Sequence, residues 1–225
     1  MTESVSHVGR SAKQQLVLTA ERLYALHGLD GVPLRRISAE AGMGNKSAVQ
    51  YHFGSKDGLV EAILVNRVDD LTRRRRLLEA RLPAGDLRRV VEAHQLPLME
   101  LAEDPDCYYL SFLEQLVREV HPLEKLPAVH RDSERAYYSR VGALIAHVPR
   151  PLRDIRIHQA SAICLHICAD RHRTRMLGAT VAPFAVHVGQ LLDVLVAQLS
   201  TPPSAETLAA LEASPVEQPT LRSLP

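Results

Sequence analysis

The sequence predicts an all-α protein, and three features predict it. Leu and Ala recur at helical spacing almost throughout. Strand-favouring residues are sparse, with three Phe, six Tyr and no Trp in 225 residues. Prolines fall at the borders of the periodic segments, at positions 105, 122, 149, 151 and 183, where they separate helices. About nine helices are expected.

The first helix is expected from Ala12 to His27, after ten polar residues expected to be mobile. Leu16, Ala20, Leu23 and Tyr24 share one face, and Gly28 follows as a left-handed cap. The second helix runs from Pro33 to about Ala41, since a first-turn proline lacks only an N–H the helix does not need. Leu34, Ile37 and Ala41 give its inward face, and Gly42-Met43-Gly44 turns the chain with Met43 plugging the core. Asn45 is the expected N-cap of a third helix over Lys46–His52, anchored at its end by Phe53. Ser55 caps a fourth helix that carries Leu59, Ile63 and Val68 on toward Leu78 and about residue 81.

A break at Pro83-Ala84-Gly85-Asp86 precedes five further helical patterns, near 86–102, 104–120, 125–147, 151–177 and 181–200. The proline-rich tail, 201–225, is expected to be loose, with a short helix near Ala205–Ala213. The expected organisation is a helix-turn-helix unit over 1–60, joined by the fourth helix to a helical unit over 82–200.

Bulk properties narrow the function. Net charge is +1, but residues 1–81 hold 13 Lys/Arg against 9 Asp/Glu, whereas the remainder holds 14 against 17. A basic front and an acidic back suit a DNA-binding part joined to something else. Three cysteines make no disulfide framework. The N-terminus has no apolar signal core, and no run of about 18 apolar residues occurs, so a cytoplasmic protein without a membrane partner is expected.

Residues 33–57 concentrate the functional signal. A short helix, small-faced and polar at its front, is the shape of an element that enters a DNA groove. Lys46, Ser47 and Gln50 are placed to read bases; Gln pairs with adenine through two hydrogen bonds and Ser bonds several bases. Ala48 is small enough to approach a thymine methyl. Tyr51 and His52 can bond phosphate oxygens, or can be packing residues. Lys56 lies where a helix N-terminus favours phosphate. Arg35 and Arg36 can reach the backbone. The run Arg73-Arg74-Arg75-Arg76 spreads around a helix and has Asp69, Asp70 and Glu79 at pairing distance, so it reads as a solvated face.

These residues carry a resemblance. Leu16…Ala20…Leu23-Tyr24…Gly28, Leu34-Arg35-Arg36-Ile37-Ser38, Ala41-Gly42 and Tyr51-His52-Phe53-Gly54-Ser55-Lys56 resemble the tetracycline-repressor family of bacterial regulators. The resemblance covers about the first 60 residues, with two departures. Pro33 stands where the family often has a capping Ser or Thr, and the turn Gly42-Met43-Gly44-Asn45 is one residue longer than the common pattern. It implies a homodimer that places its third helices in the major groove of a palindromic operator. It also implies a small-molecule pocket among the C-terminal helices, dimerisation through the last two long helices, and release of DNA on ligand binding.

For that pocket the sequence offers Leu96, Met99, Tyr108, Phe112, Tyr137, Tyr138, His158 and Ser161, aromatic hydroxyls and imidazoles among apolar residues. For the dimer interface it offers Val188, Leu191, Leu192 and Leu195, with Cys164 and Cys168 as small packing thiols. The alternative is that this stripe packs within one subunit. Cys164, Cys168 and His172 share a helix face, so a metal-sensing site is conceivable, but packing is the preferred reading and no metal or cofactor is expected.

No His-Glu-x-x-His, Gly-x-Ser-x-Gly or dinucleotide-binding motif occurs, so no enzyme is expected. The Gly42-Met43-Gly44-Asn45-Lys46-Ser47 stretch is no phosphate loop, because Asn45 interrupts it and no strand precedes it. The expected function is a sequence-specific regulator, most simply a repressor. The alternatives are a nonspecific architectural DNA-binding protein, or a same-family activator or metal sensor.

Overall fold

A computed structural model describes residues 11–80, 85–120 and 122–213. The expectations for the N-terminal ten residues, for the break at 81–84 and for the tail after 213 lie outside the described residues. Within them the chain is helical, with ten α-helices, two short 3-10 turns and no strand.

Four helices form the N-terminal part: α1 (Ala12–His27), α2 (Leu34–Glu40), α3 (Ala48–Phe53) and α4 (Lys56–Glu79). The side chain of Ser11 caps α1 by accepting from the Gln14 N–H at 3.2 Å, and Leu16, Ala20, Leu23 and Tyr24 are all fully buried. Pro33 sits at the N-cap of α2 in an extended conformation. The third helix starts later than expected. Asn45 does not cap it; its Oδ1 accepts from the Ser47 N–H at 2.8 Å, a local turn that uses up the side chain. Lys46 and Ser47 therefore lie in the turn before α3. Ala48 is also not outward: it is buried beside Val49, so it cannot touch a base.

Gly54 ends α3 with a φ of 73°, a left-handed conformation that glycine adopts without strain. Ser55 then caps α4, accepting from the Gly58 N–H at 3.0 Å. A side chain at 58 would fall 2.2 Å from the Phe53 carbonyl oxygen, so this corner needs glycine for close approach as well.

The remaining helices are α5 (Leu87–Glu100), α6 (Tyr109–Leu116), α7 (Ala128–Leu144), α8 (Arg150–Met176), α9 (Phe184–Ser200) and α10 (Ala205–Ala213). Prolines at 127, 149 and 183 occupy the N-cap positions of α7, α8 and α9. Helix α5 is the hub and packs against α4, α7, α8 and α9. Eight of its fourteen residues are buried, the polar His94 and Gln95 among them. Pro97 lies inside it and removes the N–H that would meet the Ala93 carbonyl.

Helix α1 packs extensively on α6, so one continuous hydrophobic core runs from the N-terminal helices into the C-terminal ones. Tyr24 and Phe112 stack across that junction with centroids 6.4 Å apart. Arginines close several helix ends. Arg153 donates to the carbonyls of Val148 and Ala146, both at 2.6 Å, after α7; Arg156 donates to those of Leu199 and Thr201 after α9.

The burial pattern corrects the expected interface. Cys164, Cys168, Leu191, Leu192 and Leu195 are buried within a single chain, and Val188 is half-buried. Their contacts are with the protein's own core. The large apolar side chains that α9 leaves exposed are Val186 and Val194. No single described helix is long and apolar enough to cross a membrane; α9 and α10 reach that length and hydropathy only jointly, across a 49° bend.

Candidate functional site

The outward surface of α3 and its flanks brings most of the expected DNA-facing residues together. Lys46, Ser47, Gln50, Tyr51 and His52 are all exposed, and Tyr51 is 82% exposed. The inward side of the same short helix is held by Val49, whose N–H faces the buried Ser38 Oγ at 3.4 Å. Tyr51 and His52 are thus not packing residues; their rings meet edge to face at 5.0 Å on the surface. Burial of one face fixes the rotation of α3, and so fixes which side chains reach outward.

The flanking basic residues are less free. Lys56 is paired with Asp30 at 2.7 Å. Arg36 is held by Glu40 at 2.8 Å and by the His27 ring nitrogen at 3.0 Å, and Glu40 also takes Arg22 at 2.8 Å. Arg35 is exposed and makes no ion pair among the described residues. The Arg35 guanidinium is thus available to an anion without loss of an existing bond, whereas Arg36 and Lys56 have partners to exchange.

A second feature lies in the C-terminal part. A cavity of about 560 Å³ opens between α4, α5, α6, α7 and α8. Of the expected pocket residues, Tyr138, His158 and Ser161 line it. Leu96, Met99, Tyr108, Phe112 and Tyr137 do not; Met99 and Phe112 are fully buried core, and Tyr137 lies behind the wall, stacked on His94 at 3.6 Å.

The cavity wall also contains residues that sequence reasoning missed: Arg75, His94, Gln95 and Glu134. Arg75 corrects the solvated reading of the arginine run. It is 9% exposed, ion-pairs with Glu134 and donates Nε–H to the His94 carbonyl at 2.9 Å. Its neighbours Arg73 and Arg74 pair near the surface with Asp70 and Glu100. The available signal was in α5, where His94 and Gln95 interrupt an otherwise apolar, buried stretch.

Electrostatics hold this cluster together. Burial, reinforced by the nearby Arg75 charge, pushes the His94 imidazole below its usual range despite Glu134. Burial alone would raise the Glu134 carboxyl, but Arg75 and then His94 hold it well below the usual carboxylate range. Both groups bind protons more readily when unfolded. The stability from His94 is therefore fully present above about pH 6.5 and is lost progressively as pH falls below it, through the lower folded-state value. The Glu134 share is lost only at still lower pH, beneath the ordinary carboxylate range. The urea midpoint is expected to drop between pH 7.5 and 5.5, and to drop less in His94→Gln.

Metal binding by Cys164, Cys168 and His172 is not what the geometry favours. The two sulfurs are 4.0 Å apart, but the His172 Nε2 is committed to the Asp104 carbonyl at 3.0 Å. Among the described residues no three His, Cys, Asp or Glu side chains converge as ligands.

Comparison with known proteins agrees with this architecture. Residues 16–63 match the family model described as bacterial regulatory proteins, tetR family. No curated protein matches the chain. Solved structures share the fold. A Shewanella sp. PV-4 protein assigned to the tetR family of transcription regulators is 17% identical, covers 83% of this chain and 96% of its own, and has a TM-score of 0.56. A transcriptional regulator from a Rhodococcus species is 19% identical, with coverages of 84% and 96% and the same TM-score. The helix-turn-helix motifs agree with the family match: residues 16–63 resemble the bacterial regulatory proteins of the tetR family, and the all-helical fold around them is shared with solved structures described as transcription regulators.

Proposed function

We propose that the protein is a repressor that binds a palindromic operator as a homodimer and leaves it when a small molecule fills the cavity. One observation carries the reading: α3 buries Ala48 and Val49 and presents Gln50, Tyr51 and His52 to solvent beside Lys46 and Ser47. Gln50 and Ser47 have base-reading chemistry, while Tyr51, His52, Lys46 and Arg35 suit phosphates or sugars.

Helix α4 supports the ligand response. Its N-terminal turn follows α3 directly, and further along it contributes Leu64, Val68, Leu71 and Arg75 to the cavity wall. A molecule that repositions this wall acts on the helix that carries the DNA-facing corner. Val186 and Val194, eight residues apart on the exposed side of α9, support pairing of two copies there. The modest positive charge of the N-terminal part favours specific over nonspecific binding.

Gln50→Ala is expected to cost about 1–3 kcal/mol at one operator position and to relax preference there. Anisotropy titrations against an operator and its single-base variants measure this. Equal losses at every variant, or none, would remove Gln50 from base reading. Sedimentation of the same complex is expected to show two subunits per half-site pair.

A further inference from the structure

The cavity wall holds two nitrogens that the fold leaves without partners. His94 is 3% exposed and Gln95 2%, both line the cavity, and neither His94 Nδ1 nor Gln95 Nε2 meets a hydrogen-bond partner. The Tyr137 hydroxyl faces Gln95 without closing a hydrogen bond. Buried polar groups are nearly always paired. Two adjacent exceptions on one cavity wall mark a place that something outside the chain completes.

The geometry sets their chemistry. His94 Nε2 lies 3.3 Å from the Glu134 Oε2, and a carboxylate only accepts, so Nε2 bears the hydrogen. In the neutral ring Nδ1 is then an acceptor, while Gln95 Nε2 is a donor. The charges beside these two nitrogens are already matched, and the one lining cation without an ion pair among the described residues, Arg118, is exposed to solvent. Arg75 pairs with Glu134, and Glu114 at the cavity edge is held by Arg173 at 2.8 Å and His166 at 2.9 Å. A charged ligand head set against His94 and Gln95 would stay uncompensated.

We infer that the cavity takes a neutral, largely apolar molecule whose head both gives and accepts one hydrogen bond, an alcohol, phenol or carboxamide, seated against His94 Nδ1 and Gln95 Nε2. This rests on reading the cavity as the effector site. The apolar body lies along Leu98, Leu113 and Leu165.

Calorimetry on the full chain with three probes of one scaffold tests it: 2-naphthol, 2-methoxynaphthalene and 2-naphthoate. Naphthol is expected to bind about tenfold tighter than the methoxy compound, which cannot donate. Naphthoate is expected to bind weakest. Gln95→Met, which removes the donor to both heads, should weaken naphthol and methoxynaphthalene alike severalfold and leave in place the naphthol advantage, which rests on donation to His94 Nδ1. That variant removes a buried orphan donor, so its melting temperature should not fall. Ala162→Trp, which fills the cavity wall, should abolish all binding. Equal affinities, or tightest binding of naphthoate, with Ala162→Trp still blocking, would overturn the inference and leave the cavity reading intact. Absence of binding by every probe, or binding indifferent to Ala162→Trp, would overturn the cavity reading and the inference with it.

Discussion

Arg75→Ala is expected to cost about 3–5 kcal/mol of folding stability, the range for breaking a buried ion pair from one side. Arg75 reaches from α4 across the cavity wall to Glu134 on α7 and the His94 carbonyl on α5. Both ion-pair side chains are largely shielded, at 11% and 17% exposure, so solvent screening is small. Truncation leaves the Glu134 carboxylate buried with only the neutral His94 ring as donor. Urea unfolding at pH 7.5 measures the loss. Removing both charges together, as in Arg75→Met with Glu134→Leu, should cost much less than either single change, because no isolated buried charge then remains. A single Arg75→Ala loss below about 1 kcal/mol would mean the pair is hydrated in solution, against its burial here.

Phe112→Ala is the second large effect, at about 3–5 kcal/mol. Phe112 is fully buried, stacks on Tyr24 of α1 at 6.4 Å and lies 6.1 Å from Tyr109. It sits where the N-terminal helices join the C-terminal ones. Its loss should therefore lower the melting temperature and split one thermal transition into two, as the N-terminal part loses support from α6. A parallel shift with a single transition would show that the two parts are coupled mainly elsewhere. The candidate is the Glu21–Arg67 pair at 2.8 Å, with Arg67 set over the Tyr109 ring at 5.9 Å.

Much of the fold was legible because its signals are local. The α1 limits, the Ser55 cap and the proline-marked starts of α8 and α9 each follow from a few neighbouring residues. The exposed positions of the surface proposed to meet DNA were also legible, since one apolar residue, Val49, sets the rotation of a six-residue helix. Asn45 misled because an Asn before a helix can serve a cap or a turn, and only backbone geometry decides. The cavity was illegible for a different reason. Arg75 has a carboxylate, Glu79, within helical reach in sequence, yet its partner Glu134 is 59 residues away. Likewise the stripe Leu191, Leu192 and Leu195 shows that α9 buries a face, but periodicity does not say whether α5 or a second copy covers it.

The most direct test of the central claim is selection of bound duplexes from a random DNA library by the intact protein, across several salt concentrations. Enrichment of a palindrome whose half-sites lie about one helical turn apart is expected, with affinity well above that for scrambled DNA at physiological salt. Gln50→Ala is expected to enrich a palindrome changed at one position per half-site. Recovery of unenriched sequences, bound equally and with steep salt dependence, would contradict sequence-specific recognition by α3.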